Sequence, residues 1–133
     1  MDSYEIETYK VRTEIVRSGN PVRTLRNRIL ELDSAAMAHG IVLKGLITFS
    51  SSFNAWSGTP ASGFYADSNP LNPRIYGWLP SNEFSYWYDL VRSESPVRLY
   101  YLISPINGAK YVRTLAVGTS DEPVGEGPSD IDA

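Results

Sequence analysis

A chain of 133 residues, 42% apolar and 20% charged, with three Trp, nine Tyr and four Phe, has the size and composition of one globular unit that holds its own core. It has no cysteine, which excludes a disulfide framework, a thiolate metal site and a cysteine nucleophile. Its net charge of −3 is unevenly spread: residues 119–133 hold five acids and no base, and Lys10 to Arg28 hold six bases against Glu14 alone.

Residues 4–16 are rich in β-branched and aromatic types and alternate in polarity, the pattern of a half-buried strand. Tyr4 and Ile6 share one parity and Tyr9, Val11, Thr13 and Ile15 the other, which predicts a bulge or break near Thr8. Asn20 and Pro21 read as the cap and first position of a helix. Val22, Leu25, Ile29, Leu32 and Ala36 then form one stripe, predicting a helix over 21–39 that stops at Gly40. Two other readings stay open: the helix ends at Leu32, or Val22 to Leu32 is a strand.

Residues 41–50 read as a central strand with a bend or close backbone approach at Gly45. From Ser51 to Asn72 periodicity fails, yet Phe53, Trp56, Phe64 and Tyr65 are too many rings for a solvated linker, so a short hairpin or a loop folded on its own aromatics is expected. Arg74 to Leu79 reads as a short strand. Ser81 then caps a helix whose buried face is Phe84, Trp87, Tyr88 and Val91 and which Pro96 stops. Val97 to Ile103 and Lys110 to Val117 flank the turn signal Asn107-Gly108 and predict a closing hairpin.

These elements compose an α+β fold, two helices on a mainly antiparallel sheet of four to five strands in the ferredoxin-like order βαββαββ. If 22–32 is extended, an OB-like barrel with one helix before the last hairpin is the alternative. Residues 1–118 form the globular part and 119–133 an acidic tail expected to be disordered. Without a basic, apolar leader or a run of about 18 apolar residues, the chain reads as cytoplasmic, with no membrane partner.

No nucleotide or nucleophile motif is present, and no catalytic residue, metal site or cofactor is assigned. His39, at a helix end, suits a structural role, and Asp89 and Glu83 suit a solvated helix face. The candidate recognition residues are Trp56, Phe64, Tyr65, Trp78 and Asp67, rings and one acid in or beside the irregular middle stretch. Arg98 and Tyr100 on one strand, with Tyr111 and Arg113 on the next, form a second candidate, a platform for a single-stranded nucleic acid, against which the mildly basic body and acidic tail weigh.

The leading functional reading is a non-catalytic binding or assembly module, a possible homodimer, recognising a protein or small ligand through exposed sheet or the aromatic loop. The alternatives are the nucleic-acid binder and a small enzyme or ligand carrier with 51–72 as a lid over Asp67, Asp89 or His39.

Overall fold

The computed structural model describes residues 2–51 and 62–119, apart from the Ser18 side chain. Trp56 and the acidic segment 120–133 therefore lie outside the described residues. Eight strands are formed among them: Asp2–Glu5 (β1), Thr8–Ser18 (β2), Arg23–Asp33 (β3), Lys44–Ser50 (β4), Gly63–Ala66 (β5), Arg74–Pro80 (β6), Val97–Ile106 (β7) and Ala109–Thr119 (β8). One α-helix, Phe84–Ser93 (α1), follows β6. The strands make a single sheet in the order β1-β7-β8-β5-β6-β4-β3-β2, antiparallel throughout except for the parallel β4–β6 pair.

This curled half-barrel overturns the ferredoxin-like expectation of two helices on four to five strands. The helix expected over 21–39 is instead strand β3, paired along its whole length with β2 and over Arg28–Asp33 with β4. The reason is Leu30. It lies off the helical stripe of Leu25, Ile29 and Leu32, yet it is fully buried, and so is Leu32. An extended chain turns Leu30 and Leu32 to one face and Ile29 to the other, and buries all three, which a one-faced helix cannot do. The single helix does precede the last hairpin, but eight strands in this order are not the five-stranded OB plan either.

The core lies on the inner face of the curl. Tyr4, Leu30, Leu32, Ile47, Phe49, Ile75, Leu99, Val112 and Val117 face inward, and α1 covers them with Phe84, Trp87 and Val91. Phe49 is the anchor, edge-on to Phe84 at 5.3 Å and to Trp87 at 5.9 Å, while Tyr88 meets Tyr9 of β2 at 6.2 Å. Such ring pairs add to area burial and fix the helix in one orientation.

Two devices produce the curl. Gly63 of β5 faces Gly77 of β6, and a Cβ on Gly77 would stand 2.5 Å from Leu115 and 2.9 Å from Ile47, so side chains from β8 and β4 close over a strand that offers none there. The chain also passes directly from one sheet edge, β1, to the other, β2. Across that step Ile6 N–H donates to Val97 O and Glu7 N–H to Asp33 O, both at 2.8 Å, and the Tyr4 hydroxyl donates to Leu32 O at 2.5 Å. The break between β1 and β2 falls at Ile6-Glu7, beside the change of parity. One end of the half-barrel is thus drawn together, and the far end of the β2–β3 hairpin runs past the last residue that β4 pairs.

Candidate functional site

Of the described rings singled out from sequence, Phe64 and Trp78 share the outer face of the sheet and Tyr65 does not. Phe64 and Tyr65 are neighbours in β5, a strand inside the sheet between β8 and β6, and so point to opposite faces. Phe64 stacks on Tyr76 on the outer face, centroids 4.9 Å apart, and Trp78 takes the same outer face two residues along β6. Tyr65 turns inward and lies parallel to Tyr101 at 6.4 Å, with Lys110 Nζ 5.8 Å from its ring. Asp67 holds the same lysine at 2.5 Å. That contact raises the Lys110 pKa, through the hydrogen bond first and the charge second. The described part of 51–72 is therefore a sheet strand and its flank.

The residues of the nucleic-acid platform also separate. Arg98 and Tyr100 share the outer face of β7, where Arg98 Nε donates to Ser3 Oγ at 3.2 Å. Tyr100 opposes Ala116, five residues along β8 from Tyr111, a displacement of roughly 15 Å at the rise of a strand. Arg113 falls in the register shift between Leu102 and Ile103, where β8 carries one residue more than β7. Tyr111 instead opposes Phe64, so an outer row Leu46, Tyr76, Phe64, Tyr111 crosses four adjacent strands.

The acid–base candidates stand apart from one another. His39 occupies a single 3-10 turn, Ala38–Gly40, with φ of 63°, and is exposed. Asp89 pairs with Arg92 one turn along α1 at 2.8 Å. Among the described residues no three His, Asp or Glu side chains come together as metal ligands. Glu31 and Asp33 share the outer face of β3, with Lys44 Nζ 3.6 Å from Glu31 and 3.9 Å from Asp33. Burial, and then Glu31, push the Asp33 pKa up against the opposing pull of Lys44.

Two features that sequence reasoning did not single out remain, both on the β2–β3 hairpin. The first is β2 itself. It is a sheet edge of eleven residues, TYKVRTEIVRS, without Pro, Gly or bulge, and it exposes Val11 (44%) and Ile15 (60%) on its inner face. Edge strands of this length are usually blunted, because their free N–H and C=O groups pair with any matching strand. Arg12 and Glu14, on its outer face, have no ion partner among the described residues.

The second is the mouth between the hairpin and the start of the helical run. Arg26, Arg28, Phe49 and Ser81 line an open cleft of about 260 Å³ there. Arg26 and Arg28 are two residues apart on the inner face of β3, and the Arg28 guanidinium lies over the Phe84 ring at 4.9 Å. Ser81, expected as the cap of a long helix, instead opens a 3-10 turn, Ser81–Glu83, and makes no capping bond.

Comparison with known protein families, curated proteins and solved structures finds no match for this chain. Among the described residues no helix is long and apolar enough to cross a membrane.

Proposed function

We propose that this protein is a non-catalytic assembly module that pairs with a second copy of itself edge to edge along β2. The observation that carries this reading is that the open edge is self-complementary. In an antiparallel pair related by a two-fold axis at Thr13, Val11 opposes Ile15 of the second copy, Arg12 opposes Glu14, and Thr13 opposes itself. Tyr9 then meets Arg17 and Lys10 meets Val16. An axis at Arg12 or at Glu14 sets that residue against its own like charge, so Thr13 is the centre the charges favour.

The same pairing accounts for the one acid in an otherwise basic stretch. Each cross-strand pair contributes roughly 0.2–1 kcal/mol, and the symmetry makes the Arg12–Glu14 and Val11–Ile15 pairs twice each. Backbone hydrogen bonds along the strand add affinity, as in other cases of strand addition.

Sedimentation over a concentration series tests association, and a Thr13→Cys crosslink tests its register. Directly opposed residues in an antiparallel pair have Cα atoms about 4.5–5.5 Å apart, inside the range a disulfide spans. In a chain without native cysteine, T13C gives a covalent dimer on mild oxidation, and T8C, whose position opposes Ser18 of the second copy, does not. Glu14→Arg sets two like-charge pairs in the interface and weakens the dimer by about 1–4 kcal/mol, while the exchanged pair R12E/E14R restores it. A chain that stays monomeric at 100 µM order concentrations, or a dimer indifferent to both T13C and E14R, overturns the proposal.

A further inference from the structure

An open cleft lies at the mouth of the half-barrel. We infer that Arg26, Arg28 and Ser81 hold a phosphate group. The inference goes beyond the assembly reading and does not rest on it, because the cleft is complete within one chain.

From Arg12 to Arg28 the hairpin holds five arginines and a single acid, Glu14. Strand alternation puts Glu14 on the outer face and Arg17, Arg26 and Arg28 on the inner one. Among the described residues none of these three arginines has a carboxylate within ion-pair distance, and Glu83, exposed in the turn that Ser81 opens, pairs with neither Arg26 nor Arg28. Two guanidinium groups that line one cleft and have no carboxylate partner among the described residues are suited to an anion.

Geometry then selects the anion. Arg26 and Arg28 lie about 7 Å apart along the strand, and each offers a planar fork of donors that matches two oxygens of a phosphate. Arg28 is held over the Phe84 ring, which orients the fork while leaving its edge free. Ser81 lines the same cleft. Phe49, 1% exposed, lines it too, and an ionic contact beside buried apolar surface gains strength. Arg17 opposes Thr24 and extends the inner basic track toward the hairpin tip, so the phosphate can belong to a free ion or to the backbone of a single strand.

Isothermal titration of the full chain with inorganic phosphate, and in parallel with a 20-nucleotide oligothymidylate, separates those two sources. Binding of at least one probe is expected, and R26Q/R28Q weakens it tenfold or more. The single variant R28K keeps the charge and falls in between, and the outer-face control R98Q binds as the parent does. If a nucleic-acid backbone is the source, the oligonucleotide binds more tightly than phosphate. Its log K against log salt then has a slope of about −0.7 for the one phosphate held, and R26Q/R28Q abolishes that slope. Binding of inorganic phosphate alone assigns the site to the free ion. The inference is overturned if neither probe binds, or if R26Q/R28Q, with an unchanged far-ultraviolet circular dichroism spectrum, binds both as the parent does. Loss of dimerisation in E14R with phosphate binding retained separates failure of the assembly reading from failure of this one.

Discussion

Tyr4→Phe is the sharpest test of how the half-barrel is closed. The Tyr4 hydroxyl, on an inner-face ring only 2% exposed, donates to Leu32 O at 2.5 Å. Leu32 and Gly45 face each other across β3 and β4, so one side chain from an edge strand is bonded to β3 and lies against β4. Without the oxygen, the buried Leu32 carbonyl loses this partner, and a cost of about 1–3 kcal/mol is expected. For a chain of this size that lowers Tm by roughly 4 °C per kcal/mol, or about 4–12 °C. Gly45 is the matching half of the contact: a Cβ there would stand 2.8 Å from the Tyr4 hydroxyl and 2.9 Å from Leu99 Cδ2. Gly45→Ala alone therefore costs about 1–3 kcal/mol by overpacking. In the Tyr4→Phe background the nearer obstacle is gone, so the two costs sum to about 1 kcal/mol more than the double variant shows. Urea denaturation followed by tryptophan fluorescence gives the three free energies. Additivity within about 0.5 kcal/mol, or a neutral Tyr4→Phe, refutes the closure described here.

Three other outcomes follow from the buried titratable groups and the glycines of the sheet. Asp33, with a pKa raised by burial and Glu31, holds its proton more tightly folded than unfolded, so its ionisation costs stability as pH rises above about 4; Asp33→Asn stabilises the protein at pH 7 and has no effect at pH 3, and equal effects at both would contradict the assignment. Burial, with Asp2 and Tyr65 in lesser part, pushes Tyr101 from 10.0 up to about 12, and Tyr4 shifts further in the same direction. Unfolded chains therefore release these protons first and stability falls from pH 10 upward, more gently in Tyr101→Phe, as denaturation midpoints against pH will record. Gly63→Ala meets the Tyr76 carbonyl oxygen at 1.7 Å, a backbone obstacle that cannot rotate away, and belongs with the exceptional losses above about 4 kcal/mol. Gly77→Ala meets only the side-chain ends of Leu115 and Ile47 and costs about 1–3 kcal/mol; the reverse ranking in thermal denaturation would refute the glycine account of the curl.

Where one periodicity dominated, the sequence was legible. The ring-heavy face of α1 and the Asn107-Gly108 hairpin, with φ of 50° and 84° at the turn, follow from side-chain spacing and from a turn that few residue types accept. Leu25, Ile29 and Leu32 misled because their spacings also fit an amphipathic helix. Arg26 and Arg28, between them, both lie on the inner face of a strand whose hairpin extends past the sheet body. β5 is four residues long, GFYA, too short for a period to establish itself, and only pairing with β8 and β6, distant in sequence, makes it a strand. Curvature was not readable either, since nothing local says that Gly63 and Gly77 will face each other.

Rings drew attention in the sequence because large side chains carry recognition energy, yet most of them here are absorbed by the core and by pairs within the sheet, such as Tyr65 on Tyr101. The features left over are charges and a strand edge, and neither has a local signature. The alternation of Arg12, Thr13 and Glu14 states which residues share a face, but whether that strand is interior or terminal is a property of topology. Once β2 is known to end the sheet, the same letters become a statement about a partner, because a strand with a base one step before its centre and an acid one step after is the complement of its own reverse. The arginines behave alike: Arg26 and Arg28 were two members of a basic run until β3 turned both inward against Ser81, away from Glu14. Sign and spacing are written in the chain, and only the order of strands decides which charges meet one another and which remain open to a ligand.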